Sequence, residues 1–199
     1  MKQIIQNFLD NVLGKLLNDN DVYNEFSFQH ELGIYLRNEL KKRGNYKVQF
    51  ERNVNNVFGS SFSSVKKEMD IYIFNKDNEA ERYAIELKFP RNMQIHGRMY
   101  GFVKDINFME DVKNKGNATN AYTIALVENK NFYSGNCSSG SIYEYFRNGK
   151  TVSGKINKPK GAGNGGGFVK ITGKYKIDWK PVLYKGSSYK SFKYFFVEM

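Results

Sequence analysis

Apolar side chains recur at Ile4, Ile5, Phe8, Val12, Leu13, Leu16 and Leu17, and Asn18-Asp19-Asn20-Asp21 breaks the pattern. That spacing predicts a helix over 2–18 with one apolar face. A second helix is expected over 28–43, with Ser27 as N-cap and Leu32, Tyr35, Leu36 and Leu40 facing inward. The period then drops to two. Residues 46–54 alternate and predict a strand, and 55–64 are polar and rich in Gly and Ser, which predicts a loop. Further strands are expected over 69–74 and 82–89, joined by the turn Asn75-Lys76-Asp77-Asn78 and stopped by Pro90. Helical spacing returns over 97–114, through Met99, Phe102, Val103, Ile106, Met109 and Val112. Residues 121–127 form a nearly unbroken apolar run, as in a buried strand. The order predicts an α/β fold: a mixed β-sheet flanked by helices.

After Glu128 the pattern changes. Residues 142–147 read as a short helix or strand, 149–167 are rich in Gly and Lys, and 168–177, 181–184 and 191–197 read as strands. The expected organisation is a core over 1–130 with a basic, β-rich extension over 131–199 packed on it, the whole forming one domain. About 50 residues of β-structure would be marginal alone.

Charge sharpens this division. The chain carries a net +11, and Lys150 to Met199 supplies nine of it, with eleven lysines, no arginine, and Asp178 and Glu198 as the acids. A polyanionic partner is the natural reading, because each phosphate neutralised by lysine releases counterions. A solvated basic tail is the alternative. The single cysteine, Cys137, lies in turn-forming Ser134-Gly135-Asn136-Cys137-Ser138-Ser139-Gly140, which excludes a disulfide within the chain or a Cys-based zinc site. His30 and His96 do not make a zinc site by themselves. No apolar run is long enough for a bilayer span and no signal peptide is legible, so a cytoplasmic location is expected. Gly161-Ala162-Gly163-Asn164-Gly165-Gly166 contains GxGxxG but follows no strand and opens no helix, which removes a dinucleotide reading.

Candidate chemistry centres on Asp70 and on Glu86-Leu87-Lys88. Glu86 and Lys88 are two residues apart in a strand, so both emerge on one face. Asp70 opens the neighbouring strand of the hairpin, so three ionisable groups converge. Burying them is costly unless something compensates. A Mg²⁺ ion on Asp70 and Glu86 would do so, since hard cations take carboxylate oxygens and keep several waters. Such an ion polarises a phosphoryl oxygen, and Lys88 would orient the attacking water or help deprotonate it. The alternative is an ion pair of Glu86 and Lys88 on a solvated face, with Asp70 as a strand-end turn residue.

Asp70 followed after a hairpin by Glu86-x-Lys88 resembles the signature of the PD-(D/E)xK nuclease superfamily, with Met69 where the named proline would stand. The resemblance covers about residues 25–130 and implies a restriction-endonuclease-like core and a Mg²⁺- or Mn²⁺-dependent phosphodiesterase. It makes Asp70 and Glu86 metal ligands, Lys88 the catalytic lysine, and Glu31 an auxiliary metal or water ligand. Glu31 could equally be an exposed helix residue. Lys155, Lys158, Lys160 and Lys170 around the glycine-rich loop, with Arg98 on the long helix, are the candidate phosphate contacts. Tyr175, Trp179, Tyr184, Tyr189 and Tyr194 alternate with lysines, and could stack on bases or pack internally. The expected function is a nuclease acting on nucleic acid, DNA first, with a homodimer where both strands of a duplex are cut. The alternatives are an inactive nucleic-acid-binding module of the same fold, or an effector that binds an acidic partner.

Overall fold

A computed structural model describes residues 1–59, 62, 66, 68–91, 94–162, 166–183 and 192–199. The chain opens with α1 (Lys2–Asn7) and α2 (Leu13–Asn18), joined by a π-helical turn at Phe8–Val12. The expected single helix over 2–18 is therefore continuous but underwound in the middle. The extra residue lets Asp10 accept hydrogen bonds from Gln6 and from the Tyr194 hydroxyl far along the chain.

α3 (Glu25–Lys41) starts three residues earlier than expected. Asn24, not Ser27, is its N-cap: the Asn24 side chain accepts from Ser27 N at 2.8 Å, and the Ser27 hydroxyl accepts from Asn24 N at 3.0 Å. This reciprocal box satisfies two otherwise orphaned helix-end donors. β1 (Tyr46–Asn53) follows, then a short α4 (Val54–Phe58) inside the expected loop, then β2 (Glu68–Asn75) and β3 (Arg82–Lys88). The long α5 (Ile95–Asn114) leads to β4 (Asn120–Val127). Beyond it come α6 (Tyr143–Arg147), β5 (Val152–Asn157), β6 (Phe168–Tyr175), β7 (Lys180–Pro181) and β8 (Lys193–Glu198).

Among the described residues the main sheet is six-stranded, in the order β1-β2-β3-β4-β8-β7. β3 and β4 are parallel and the other pairs antiparallel, so the sheet is mixed. The parallel pair needs a long crossover, and α5 is that crossover. One sheet face carries Val48, Ile71, Ile73, Ile85, Leu87 and Ile124 against Phe8, Leu13, Phe28, Leu32 and Leu36 of the first three helices. The other face packs on α5, through Ala84, Ala121, Met109 and Val112, and through Ala125, Val127, Phe102 and Phe195. The class is therefore α/β with helices on both faces of a mixed sheet.

The expected extension over 131–199 divides in two. β5 and β6 form a separate antiparallel ribbon whose inner residues Ile156, Val169 and Ile171 pack on the α5 side. β8 instead enters the main sheet beside β4, Tyr194 opposite Leu126 and Phe196 opposite Ile124. Glu110 of α5 fastens the ribbon: its carboxylate accepts from Thr172 N, the Thr172 hydroxyl, Gly173 N and the Tyr175 hydroxyl. A buried carboxylate bound by four donors is well compensated. No helix among the described residues is long and apolar enough to cross a membrane.

Candidate active site

Asp70, Glu86 and Lys88 meet at the end of β3, on the face covered by α5. The alternation of β3 decides this: Ile85 and Leu87 point into the opposite core, and Ala84, Glu86 and Lys88 point to α5. Glu86 is fully buried. Its Oε1 accepts from Lys88 Nζ at 3.0 Å and from Lys66 Nζ. Asp70 Oδ2 accepts from Leu87 N at 2.7 Å and lies 3.8 Å from Lys88 Nζ. The backbone of β3 thus holds the carboxylate of β2 in place. The solvated ion-pair alternative does not fit a Glu86 with no exposed surface.

The backbone beside Asp70 is irregular. Glu51 of β1 has φ +49°, and the β1–β2 register passes from Phe50 opposite Ile71 to Arg52 opposite Met69. The Asp70 carbonyl accepts instead from Gln29 Nε2 at 2.5 Å, and the same amide donates to Glu51 Oε1 at 2.8 Å. A non-glycine residue at positive φ is a local cost that persists only where surroundings enforce it. Here it fixes the residue expected to carry chemistry.

Three charged groups in this cluster were not anticipated. Glu25, in the first turn of α3, accepts from Lys88 Nζ at 3.0 Å and from Phe89 N at 3.0 Å. Lys66 lies 3.9 Å from Asp70 Oδ1 and 3.9 Å from Asp105 Oδ1, besides its contact with Glu86. Asp105 comes from the middle of α5 and is buried. Gln29 stands one turn after Glu25, and the two belong to the helix face that meets the strands. Glu31 does not: its carboxylate faces His30 Nδ1 at 3.2 Å. The helix acid brought to the lysine is Glu25, six residues earlier than expected. Glu25→Gln is therefore expected to lower any cleavage activity by about 10- to 100-fold, the usual effect of losing a group that orients a metal-site residue. Glu31→Gln should leave it unchanged, and an assay in which Glu31→Gln is the weaker variant would reverse the assignment.

Burial and charge set the protonation states. Burial alone would lower the Lys88 pKa, but the carboxylates of Asp105, Asp70 and Glu25 outweigh it and hold it above its ordinary value. Lys66 is lowered by burial, against the pull of Asp105 and Asp70. Burial raises Asp70, with Lys88 and Lys66 opposing. Burial pushes Asp105 up to about 6, again against Lys88 and Lys66. Between its ordinary 3.8 and about 6, the folded chain holds a proton that the unfolded chain has released. Asp105 therefore costs stability progressively as pH rises through that window, and the full cost stands above it. Asp105→Asn is expected to raise the thermal midpoint at pH 7.5 and leave it unchanged near pH 3.5. Equal shifts at both pH values would show that ionisation is not the cause.

The cluster fits a hard divalent cation. Glu25, Asp70, Glu86 and Asp105 face Lys66 and Lys88, a formal excess of two negative charges. Glu86 Oε2, Asp105 Oδ2 and Thr123 Oγ1 are buried with no hydrogen-bond partner among the described residues, and Thr123 stands directly beside Glu86 across β3 and β4. Orphaned oxygens of this kind call for an ion or water. Among the described residues no group of three or more His, Cys, Asp or Glu is arranged as a metal cage. A cation held by two carboxylates and completed by water, the habit of Mg²⁺, needs no such cage.

The expected phosphate contacts fall in two places. Lys155 and Lys170 stand directly opposite each other on the ribbon. Lys158 and Lys160 line a cleft of about 420 Å³ with His96 at the start of α5 and Tyr143 at the start of α6. Arg98 lies in the first turn of the same helix. Of the tyrosines and tryptophan considered for stacking, Tyr194 is buried, Tyr175 binds Glu110, and Trp179 donates to the Phe146 carbonyl at 2.9 Å. These are packing residues. Tyr184, Lys185, Tyr189, Lys190 and the loop centre 163–165 lie outside the described residues. Comparison of the chain with protein-family models, with curated proteins and with solved structures returns no match.

Proposed function

We propose that this chain is a metal-dependent nuclease, cutting phosphodiester bonds of nucleic acid, with DNA the first substrate to test, on a restriction-endonuclease-like core. The observation that carries the reading is the fully buried Glu86, held between two lysines beside Asp70, with one oxygen unpartnered.

Asp70 and Glu86 would hold Mg²⁺ or Mn²⁺, which supplies charge neutralisation and polarisation at the scissile phosphate. The chain's own groups do the rest. Leu87 N fixes the Asp70 carboxylate, and Gln29 fixes the backbone behind it. Lys88, held protonated by the surrounding carboxylates, acts as cation and donor: it positions the attacking water and offsets charge that develops on the phosphoryl oxygens. Its raised pKa argues against a role as the base. Glu25 aims the Lys88 ammonium.

The test is conversion of plasmid and single-stranded substrates with Mg²⁺ or Mn²⁺ against an EDTA control. Metal-dependent cleavage supports the reading. One observation favours a second reading: Lys66 already bonds Glu86, as in an inert ion cluster. Salt-sensitive binding without cleavage in either metal would favour that inactive binding module.

A further inference from the structure

The cluster opens onto a cleft of about 830 Å³, lined by Lys66 and Asp105 of the candidate site and, across from them, by Phe168 and Lys170 of the ribbon. Two of its acids are occupied: Glu110 is bound by four donors of β6, and Asp111 pairs with Lys115 at 2.7 Å, while the third, Asp105, belongs to the candidate site. Away from the candidate site, the open charge that remains is that of Lys104 and Lys170, both exposed. The wall is therefore cationic as well as partly apolar.

Phe168 is the unusual member. It is 57% exposed, although β6 has a buried face available at Val169 and Ile171. Lys155 Nζ sits 4.5 Å from the centre of its ring. Lys155 is also directly opposite Lys170 on the antiparallel pair, and like charges so placed repel. An exposed aromatic with a cation on one face, beside two lysines that repel each other, is a poor solution for an unoccupied surface. It is a good one for a phosphate chain whose bases are unpaired: phosphates relieve the repulsion, and a base covers the ring.

We infer that Phe168 is a base-stacking platform and that Lys155, Lys170 and Lys104 hold the backbone of a single-stranded segment led toward Lys66 and Asp105. The substrate class is then single-stranded nucleic acid, or a strand end opened from a duplex. This rests on the nuclease reading for its purpose, but its test does not need cleavage.

The experiment is fluorescence anisotropy in EDTA, with a single-stranded oligonucleotide and a duplex of equal length, on the wild-type chain, Phe168→Ala and Phe168→Trp. Phe168→Ala is expected to weaken single-strand binding by about 5- to 150-fold, the range for one lost stacking contact, and to spare duplex binding. Phe168→Trp should restore it. Lys170→Gln should weaken binding to both and reduce the salt dependence by about one counterion. Equal losses on both substrates with Phe168→Ala, or no loss, overturn the inference, and a tryptophan variant as weak as the alanine one does the same. A chain that stacks through Phe168 yet never cleaves sinks the nuclease reading alone. A chain that cleaves while Phe168→Ala binds normally sinks only this one.

Discussion

Lys88→Met is expected to lower metal-dependent cleavage by about 10²- to 10³-fold, the cost of losing a charge-stabilising donor. Methionine keeps the aliphatic stem, so the change removes the ammonium and little packing. Glu86 would retain a cationic partner in Lys66, so the fold should survive. Circular dichroism at 25 °C should be unchanged, and oligonucleotide binding in EDTA should match that of the wild-type chain. The loss then belongs to the chemical step. Cleavage within about threefold of wild type, a change too small for a lost charge-stabilising donor, would remove Lys88 from the mechanism.

Phe102→Ala should unfold the protein most readily of the single core changes. Phe102 is buried at the centre of an aromatic group, with ring centroids 5.7 Å from Phe132, 5.7 Å from Phe146 and 5.5 Å from Phe195. These four rings come from α5, the turn after β4, α6 and β8. Truncation loses transfer energy and leaves a cavity that four separate elements cannot close together. The expected cost is about 3–5 kcal/mol, which for a chain of this size lowers the thermal midpoint by roughly 6–20 °C. A drop of less than about 2 °C would mean that the site collapses freely.

The elements with a single strong period were legible. Alternation found β1, apolar segments bounded by a turn and Pro90 found β2 and β3, and the longer apolar run found β4, because one or both faces are buried there. The start of α3 was misplaced because Asn24 and Ser27 are both good caps and here act as a pair. Glu25 was passed over because it lies ahead of the expected helix start, while Glu31 stands on a part of α3 where its carboxylate meets His30 instead of the strands. Asp70, Glu86 and Lys88 could be placed together because they share one hairpin. Lys66 and Asp105 could not: Lys66 falls between the expected loop and the next strand, where no period places it, and Asp105 lies on α5, outside the hairpin. Phe168 was hidden for a related reason. It lies at a strand end, where sequence does not say which alternate face is covered.

The place of β8 in the sheet has a consequence for synthesis. β4 is apolar over Ala121–Val127, and although β3 precedes it, the partner for its other edge begins only at Lys193. At about 5–20 residues per second, the ribosome needs several seconds to make the intervening segment. Throughout that interval the nascent chain presents an unpaired, hydrophobic strand edge. Rare codons between Glu128 and Ser191 would lengthen the exposure and raise the yield of aggregate, while the mature protein would be unaltered.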